Sequence, residues 1–299
     1  MDTIEVAIPT YNRDLFLDKL LRTVPPHIKI SVSDNGSFVN EDLKSKYLNA
    51  SFISHETVIE IFDNWNCAVE NTSSEWVIMP SDDDVFLENA FAYINNYINR
   101  YPDAGVLIFG YQIIDEDDNV SEGWCPQQEL IYDAPLGYEV FKYGVEARMP
   151  CIVFKSSVLK KLKYFDNHFE LTASDSDLIQ RVLLSSKSVF IPEIIGAYRV
   201  WKGNLTSQKI ATKQWLDEID YWQQKITTIA VENYLQIGKK LNPHQIVDEV
   251  YAINLLAGIA NKRKTAGFNG AYDFFKSVRF PWHAKLKTKL RILKTLLLK

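Results

Sequence analysis

The chain has 299 residues, room for about two domains at roughly 150 residues each. Hydrophobic residues make up 46% and charged residues 24%, a balance that builds a core and excludes a disordered tail, a collagen or a low-complexity chain. The net charge of -5 conceals an asymmetry: residues 1–200 carry 31 acids against 16 bases, while residues 201–299 carry 7 acids against 17 bases.

Residues 4–8 are β-branched and apolar and read as a strand that Pro9 stops. Residues 14–22 read as a helix with Phe16, Leu17, Leu20 and Leu21 on one face. A second strand is expected over 28–32, running into Ser33-Asp34-Asn35-Gly36-Ser37. A helix over 41–48, a strand over 58–62, a helix over 64–71 and a strand over 75–79 follow. That last strand runs into Pro80-Ser81-Asp82-Asp83-Asp84. A helix over 87–100 and a strand over 105–113 complete the alternation. Beyond it, strands are expected at 152–154, 188–191 and 195–200, and helices at 156–162 and 175–184. From about residue 207 the pattern turns helical, with helices near 208–238, 243–264, 268–277 and 284–298. The expected domains are 1–205 and 206–299.

Strands alternating with helices predict an α/β fold, a mostly parallel sheet covered on both faces. Ligands of such sheets bind beyond the carboxyl ends of the strands. Both polar clusters, at Asp34 and at Asp82, Asp83 and Asp84, stand at such ends. Three adjoining carboxylates after a buried strand repel one another unless a cation neutralises them. Oxygen ligands suit a hard divalent ion, Mg²⁺ or Mn²⁺, which borrows further ligands from substrate phosphates. A solvated acidic turn capping the next helix is the alternative. Asp34 at its strand end can accept a hydrogen bond from a nucleobase or ribose, and Asn35-Gly36 also serves as plain turn chemistry. Tyr11 can pack a base, with Arg13 near a phosphate.

These three segments, residues 8–13, 33–37 and 81–84, resemble in order and spacing the family 2 glycosyltransferases with a GT-A fold. The resemblance covers about the first 110 residues and extends more loosely to about 205. It implies a Rossmann-like nucleotide-sugar domain followed here by a helical region, an inverting transfer, a divalent metal and a nucleotide-sugar donor. Pro9, Thr10 and Tyr11 would line the nucleobase pocket and Asp34 would pair with the base, which points to a UDP-sugar. Asn64, in the segment Asn64-Trp65-Asn66, would lie near the nucleotide. The acidic triplet would hold ribose and metal, with Asp84 and then Asp83 as metal ligands; Ser81 stands where the family usually has an acid. Asp175 in Ser174-Asp175-Ser176-Asp177 matches the family's general base, although Ser174 replaces the usual Glu. The family's Gln-x-x-Arg-Trp signature is absent, which disfavours the processive polymer synthases. Arg199 and Lys202 stand where the family's chain returns to the site, as phosphate contacts or surface residues. Trp124, Tyr132, Tyr138 and Trp201 can stack on sugars or anchor the core, and His168 precedes Asp175 by seven residues.

The implied acceptor is a glycan or lipid-linked hydroxyl of bacterial surface polysaccharide. Other readings are a sugar nucleotidyltransferase, which would want a Gly-rich basic loop where this chain has no glycine before Gly36, and a non-catalytic scaffold. The acidic body argues against nucleic acid. Three scattered cysteines, no apolar leader and no run of 18 apolar residues point to a cytoplasmic protein. Residues 283–299 are basic and place Leu286, Leu290, Leu293 and Leu297 at helical spacing, which predicts either peripheral contact with an anionic membrane or a helix packed on the body.

Overall fold

A computed structural model describes residues 3–171, 173–201, 203 and 209–297. The chain forms two compact units. One comprises residues 1–137, 146–170 and 185–201; the other comprises 138–145, 171–184 and 202–299. The first unit ends at residue 201, and two earlier segments, 138–145 and 171–184, cluster with the C-terminal helices.

The first unit is built on one sheet. Strand β1 (Ile4–Thr10) runs parallel to β2 (Lys29–Asp34), and β2 runs parallel to β3 (Ala50–Ser54). On its other side β1 runs parallel to β4 (Trp76–Ile78). Further across, β9 (Ile152–Lys155) lies antiparallel to both β4 and β6 (Val106–Ile114). Strand β10 (Ser188–Arg199) is parallel to β6 and carries β5 (Val85–Phe86) antiparallel at its far edge. Short β7 (Val120–Trp124) and β8 (Leu130–Tyr132) pair with β6 and β10. The sheet is therefore mixed, with a parallel half around β1 and β9 reversing the direction beside it. Helices α1 (Asp14–Thr23), α2 (Glu41–Lys46), α3 (Ile61–Glu70), α4 (Ala90–Arg100) and α6 (Ser156–Leu162) complete this unit. Leu17, Leu20 and Leu21 of α1 are buried, as their spacing predicts.

The strand expected over 58–62 is not there. The third strand is β3, and α3 already begins at Ile61. The misleading signal has a physical source. Ile59 is apolar, but the Asn35 side chain is its partner: Ile59 N donates to Asn35 Oδ1 (2.8 Å) and Asn35 Nδ2 donates to Ile59 O (3.0 Å). An amide side chain replaces a neighbouring strand. The true β3 is a half-exposed edge with two serines and lacks the apolar run of a buried strand. The two strands expected at 188–191 and 195–200 are one strand, β10, with register shifts around Pro192 and Glu193.

The second unit is helical. It contains α5 (Tyr138–Phe141), α7 (Ser174–Ser185), α8 (Lys213–Gln236), α9 (Pro243–Lys276) and α10 (Leu286–Leu297). Thr212 and Asn242 cap α8 and α9 with their side-chain oxygens. The break expected between 264 and 268 falls on Gly267, whose φ of 68° interrupts α9. Trp215, Trp222, Ile226, Tyr234, Leu255 and Ile259 are buried in this unit.

Candidate functional site

The carboxyl ends of β1, β2 and β4 lie side by side, and the polar clusters follow them. Thr10 pairs with Asp34 at the end of the β1–β2 register. Asn35 N donates to Thr10 O (3.0 Å), joining the second cluster to the first. Thr10 Oγ1 donates to Asp82 Oδ2 (2.8 Å), joining the first to the acidic turn. Asn64 of α3 reaches the same point, with Nδ2 3.4 Å from Thr10 O. Its Oδ1 is buried with no hydrogen-bond partner among the described residues. A buried amide oxygen left without a donor is costly. Asn64 lies inside the helix and does not cap it, because Glu60 holds the N-cap position.

The acidic turn is buried at all three positions. Asp82 Oδ1 accepts from Arg13 Nη1 (2.9 Å), and its Oδ2 accepts from Thr10 and, at 3.4 Å, from Tyr11 N. Asp83 Oδ2 accepts from Trp201 Nε1 (2.8 Å) and from Arg13 Nη1 (3.4 Å). Asp83 Oδ1 has no hydrogen bond among the described residues. Asp84 turns inward: Oδ2 accepts from Ser81 N (3.0 Å) and Oδ1 from Arg199 N (3.1 Å). Asp84 N returns a bond to Ser81 O (3.2 Å), so the turn closes through the backbone of Ser81, whatever side chain stands there.

The cations beside this turn do not balance it. Desolvation pushes the Asp82 carboxyl up to about 6 against the pull of Arg13, and Asp83 adds repulsion. Desolvation and the charge of Asp83 hold Asp84 well above the ordinary carboxylate range. Arg199 is fully buried beneath the turn, not at the surface. Its Nε donates to Asp83 O (2.7 Å), Nη1 donates to Asp115 O (2.5 Å) and pairs with Asp118 (2.6 Å). It is a strut of the loop. Trp201 is likewise a partner of Asp83, with the Arg13 guanidinium 5.3 Å from its ring centroid. Neither role follows from sequence spacing, because strand β10 is more than a hundred residues from the turn. Lys202 lies outside the described residues.

The base-side residues stand at the ends of β1 and β2. Asp34 is fully buried, and its carboxylate accepts from Phe38 N (2.9 Å), Val39 N (3.2 Å) and Ser54 Oγ (3.3 Å). It shapes the turn after β2. Pro9 is buried within β1. Tyr11 is 49% exposed and meets Phe38, 43% exposed, edge to face at 5.4 Å. Two exposed rings beside a strand-end turn form a surface suited to a flat, aromatic ligand. Phe38 has no sequence signal of its own; only its neighbour across the loop gives it meaning.

Asp175 belongs to the second unit, half-buried in the first turn of α7. The segment leading into that helix is held by Glu218 of α8, whose carboxylate accepts from Leu171 N (2.8 Å) and Ala173 N (3.0 Å). Asp177 is buried and neutralised by Arg181 (2.7 Å) and Lys225 (2.9 Å). His168 is exposed and bonded to Asp166 (2.8 Å). Tyr138 is buried in the helical core, which removes it as a sugar platform.

Residues 5–162, more than half of the chain, match the profile described as Glycosyl transferase family 2. The chain belongs to glycosyl transferase family 2. It is similar to GalNAc(5)-diNAcBac-PP-undecaprenol beta-1,3-glucosyltransferase of Campylobacter jejuni, with 23% identity over 68% of this chain and 66% of that one. Glycosyltransferase GlyA of Streptococcus pneumoniae is 23% identical over 78% of this chain and 35% of that one. The family 2 chain thus spans less than two thirds of the length of these curated relatives. S. aureus TarS 1-349 in complex with UDP-GlcNAc shares the fold at a TM-score of 0.62 and 16% identity, over 93% of this chain and 82% of that one. The mannosyltransferase PcManGT from Pyrobaculum calidifontis in complex with GDP-Man and Mn²⁺ gives 0.51 and 12%, over 98% and 85%. The expected GT-A architecture followed by a helical region is therefore the observed one.

Among the described residues, no three acid, histidine or cysteine side chains form a metal-binding group. A Mg²⁺ or Mn²⁺ that shares its coordination with a diphosphate and water requires only one or two carboxylates. The acidic turn fits that demand. It has buried, incompletely neutralised charge, and Asp83 keeps one carboxylate oxygen outside the hydrogen-bond network.

Proposed function

We propose that this protein is an inverting, metal-dependent glycosyltransferase. It moves a sugar from a nucleoside-diphosphate sugar, a UDP-sugar in first place, to a hydroxyl of a glycan or lipid-linked acceptor in bacterial surface polysaccharide synthesis. The observation that carries the reading is the under-neutralised acidic turn at the carboxyl edge of the parallel strands. Family membership and the named activities of the relatives support it.

In this reading Tyr11 and Phe38 hold the base, while Asp34 and Pro9 shape the loops beneath it. Thr10, Asn64 and Asp82 form a polar floor for the ribose. Asp83 is the metal-facing carboxylate, and Asp84 adds charge from beneath while bracing the turn. When bound, Mn²⁺ or Mg²⁺ would neutralise the charge on the departing diphosphate. Arg13 sits beside the same carboxylates with part of its side chain exposed, and turns to the phosphates when they arrive. Asp175 takes the proton from the acceptor hydroxyl as that oxygen bonds to the anomeric carbon. The bond from that carbon to the diphosphate breaks on the opposite face, which inverts the sugar. Glu218 keeps the segment before Asp175 in place. The protein works at the cytoplasmic face of the membrane as a peripheral enzyme, with 283–299 as its contact. No helix among the described residues is long and apolar enough to cross a membrane.

The test is a thermal-shift screen of nucleoside diphosphates with and without Mn²⁺, paired with Asp175→Asn. A metal-dependent shift is expected, largest with UDP. Asp175→Asn is expected to lower transfer by about a thousandfold or more while leaving donor affinity within about twofold. No shift with any nucleotide would favour the scaffold reading, and retained turnover would remove Asp175 as base.

A further inference from the structure

The amphipathic segment 286–297 presents one buried row and one exposed leucine row on different faces of α10. Thr288, Ile292 and Leu296 recur every fourth residue and are buried. Glu249 of α9 pins the start of the helix: Oε2 accepts from Lys285 N (2.7 Å) and Oε1 from Thr288 Oγ1 (2.7 Å). A carboxylate there satisfies the open N-terminal N–H and meets the positive end of the helix. Asp248 holds the preceding turn, accepting from His283 N (2.7 Å) and Arg279 Nη1 (2.5 Å). The roll of α10 about its axis is thereby set by its own unit.

With that roll, the second row faces out. Leu286, Leu290, Leu293 and Leu297 are 39–68% exposed. At about 100° per residue they centre on a different face from the buried row. Lys289 lies on one flank of this outward stripe, and Lys287, Arg291 and Lys294 on the other. These last three make no ion pair among the described residues. Trp282, in the turn before α10, is 71% exposed. An exposed leucine row flanked by bases, beside an exposed tryptophan, matches the chemistry of an anionic lipid interface: tails below, phosphates alongside.

We propose that α10 lies flat on an anionic membrane and inserts its Leu286–Leu290–Leu293–Leu297 face, with Trp282, into the acyl boundary while its Ile292 face stays on the protein. This deepens the peripheral-contact reading above and rests on it. It adds that insertion holds the protein there, and that the basic flanks alone do not. The leucine face needs no rearrangement of the unit to reach lipid, because it is already outward. The seventeen residues 283–299 include no acid that would oppose the approach.

Vesicle flotation of the full chain tests this, with phosphatidylcholine alone or mixed with phosphatidylglycerol, at low and high salt. Wild type is expected to float about tenfold better on the anionic vesicles, less so at high salt. The exposed-face variant Leu290→Glu/Leu293→Glu is expected to lose about tenfold or more of that binding with an unchanged melting temperature. Lys287→Glu/Arg291→Glu/Lys294→Glu is expected to lose the preference for anionic lipid. If the leucine variant floats like wild type while the charge variant is released, insertion is overturned and peripheral charge contact survives. If wild type does not float, both fall. A wild-type dimer in light scattering that the leucine variant dissociates, without flotation, would assign the face to a second copy. Nucleotide-induced thermal shifts in the same variants report separately on the transferase reading.

Discussion

The acidic turn of the sheet unit and the buried acids of the helical unit differ in how their charge is met. In the helical unit, every buried acid has found its partner within the fold. Asp177 has Arg181 and Lys225, Asp248 has Arg279 and a backbone N–H, and Glu249 has a helix start. In the sheet unit, Asp82, Asp83 and Asp84 crowd into one turn with Arg13 as the only side-chain cation pairing with them among the described residues. Burial and mutual repulsion then keep two of them above their ordinary range. Satisfied acids hold a structure together; acids left short of positive charge are prepared to receive it from a ligand.

Three measurements would break or sharpen this contrast. Asp248→Ala removes the acceptor of His283 N and one of the two carboxylates on Arg279, which keeps Asp220, and is expected to cost about 1–3 kcal/mol of stability, read as a lower melting temperature. A change near zero would mean that the acids of the helical unit are not the fasteners described here. Asp83→Ala is expected to leave the fold standing but weaken nucleoside-diphosphate binding about 100-fold in Mn²⁺, and hardly at all without metal. Equal losses in both conditions would return Asp83 to a packing role. The third concerns pH. Asp82 titrates at about 6 in the fold and near 4 when unfolded. Between those values the folded state holds the extra proton, so the stability from this group falls as pH rises through the window. The ligand-free melting temperature is expected to drop between about pH 4 and about pH 6. Mn²⁺ with UDP is expected to restore more at the higher pH, where more charge awaits neutralisation. Equal restoration at both would detach the acidic turn from the nucleotide.

Local patterns made much of the molecule legible. The apolar run of β1 and the periodicity of α1 are short-range effects, and so is the break near Gly267. The order of the strand-end motifs was also sufficient to mark the family. The places where the sequence misled are those where a side chain from elsewhere completes the backbone. Asn35 takes both backbone groups of Ile59 where a strand was expected, and Arg199 became a buried strut under a turn far from it in the chain.

From the chain of residues alone came the alternation that makes an α/β sheet, the acidic turn at a strand end, and a basic leucine-rich tail. These rest on neighbours a few residues apart, whose periodicity and mutual repulsion are written in order. Packing settled which oxygen of the acidic turn remains available, what Asp34 touches, and which way α10 rolls. Those depend on donors delivered by other strands and helices: Arg199, Trp201 and the loop amides in one unit, Glu249 and Asp248 in the other. Hydrogen bonds and burial at close range decide among side chains of identical type, and no spacing along the chain encodes that choice.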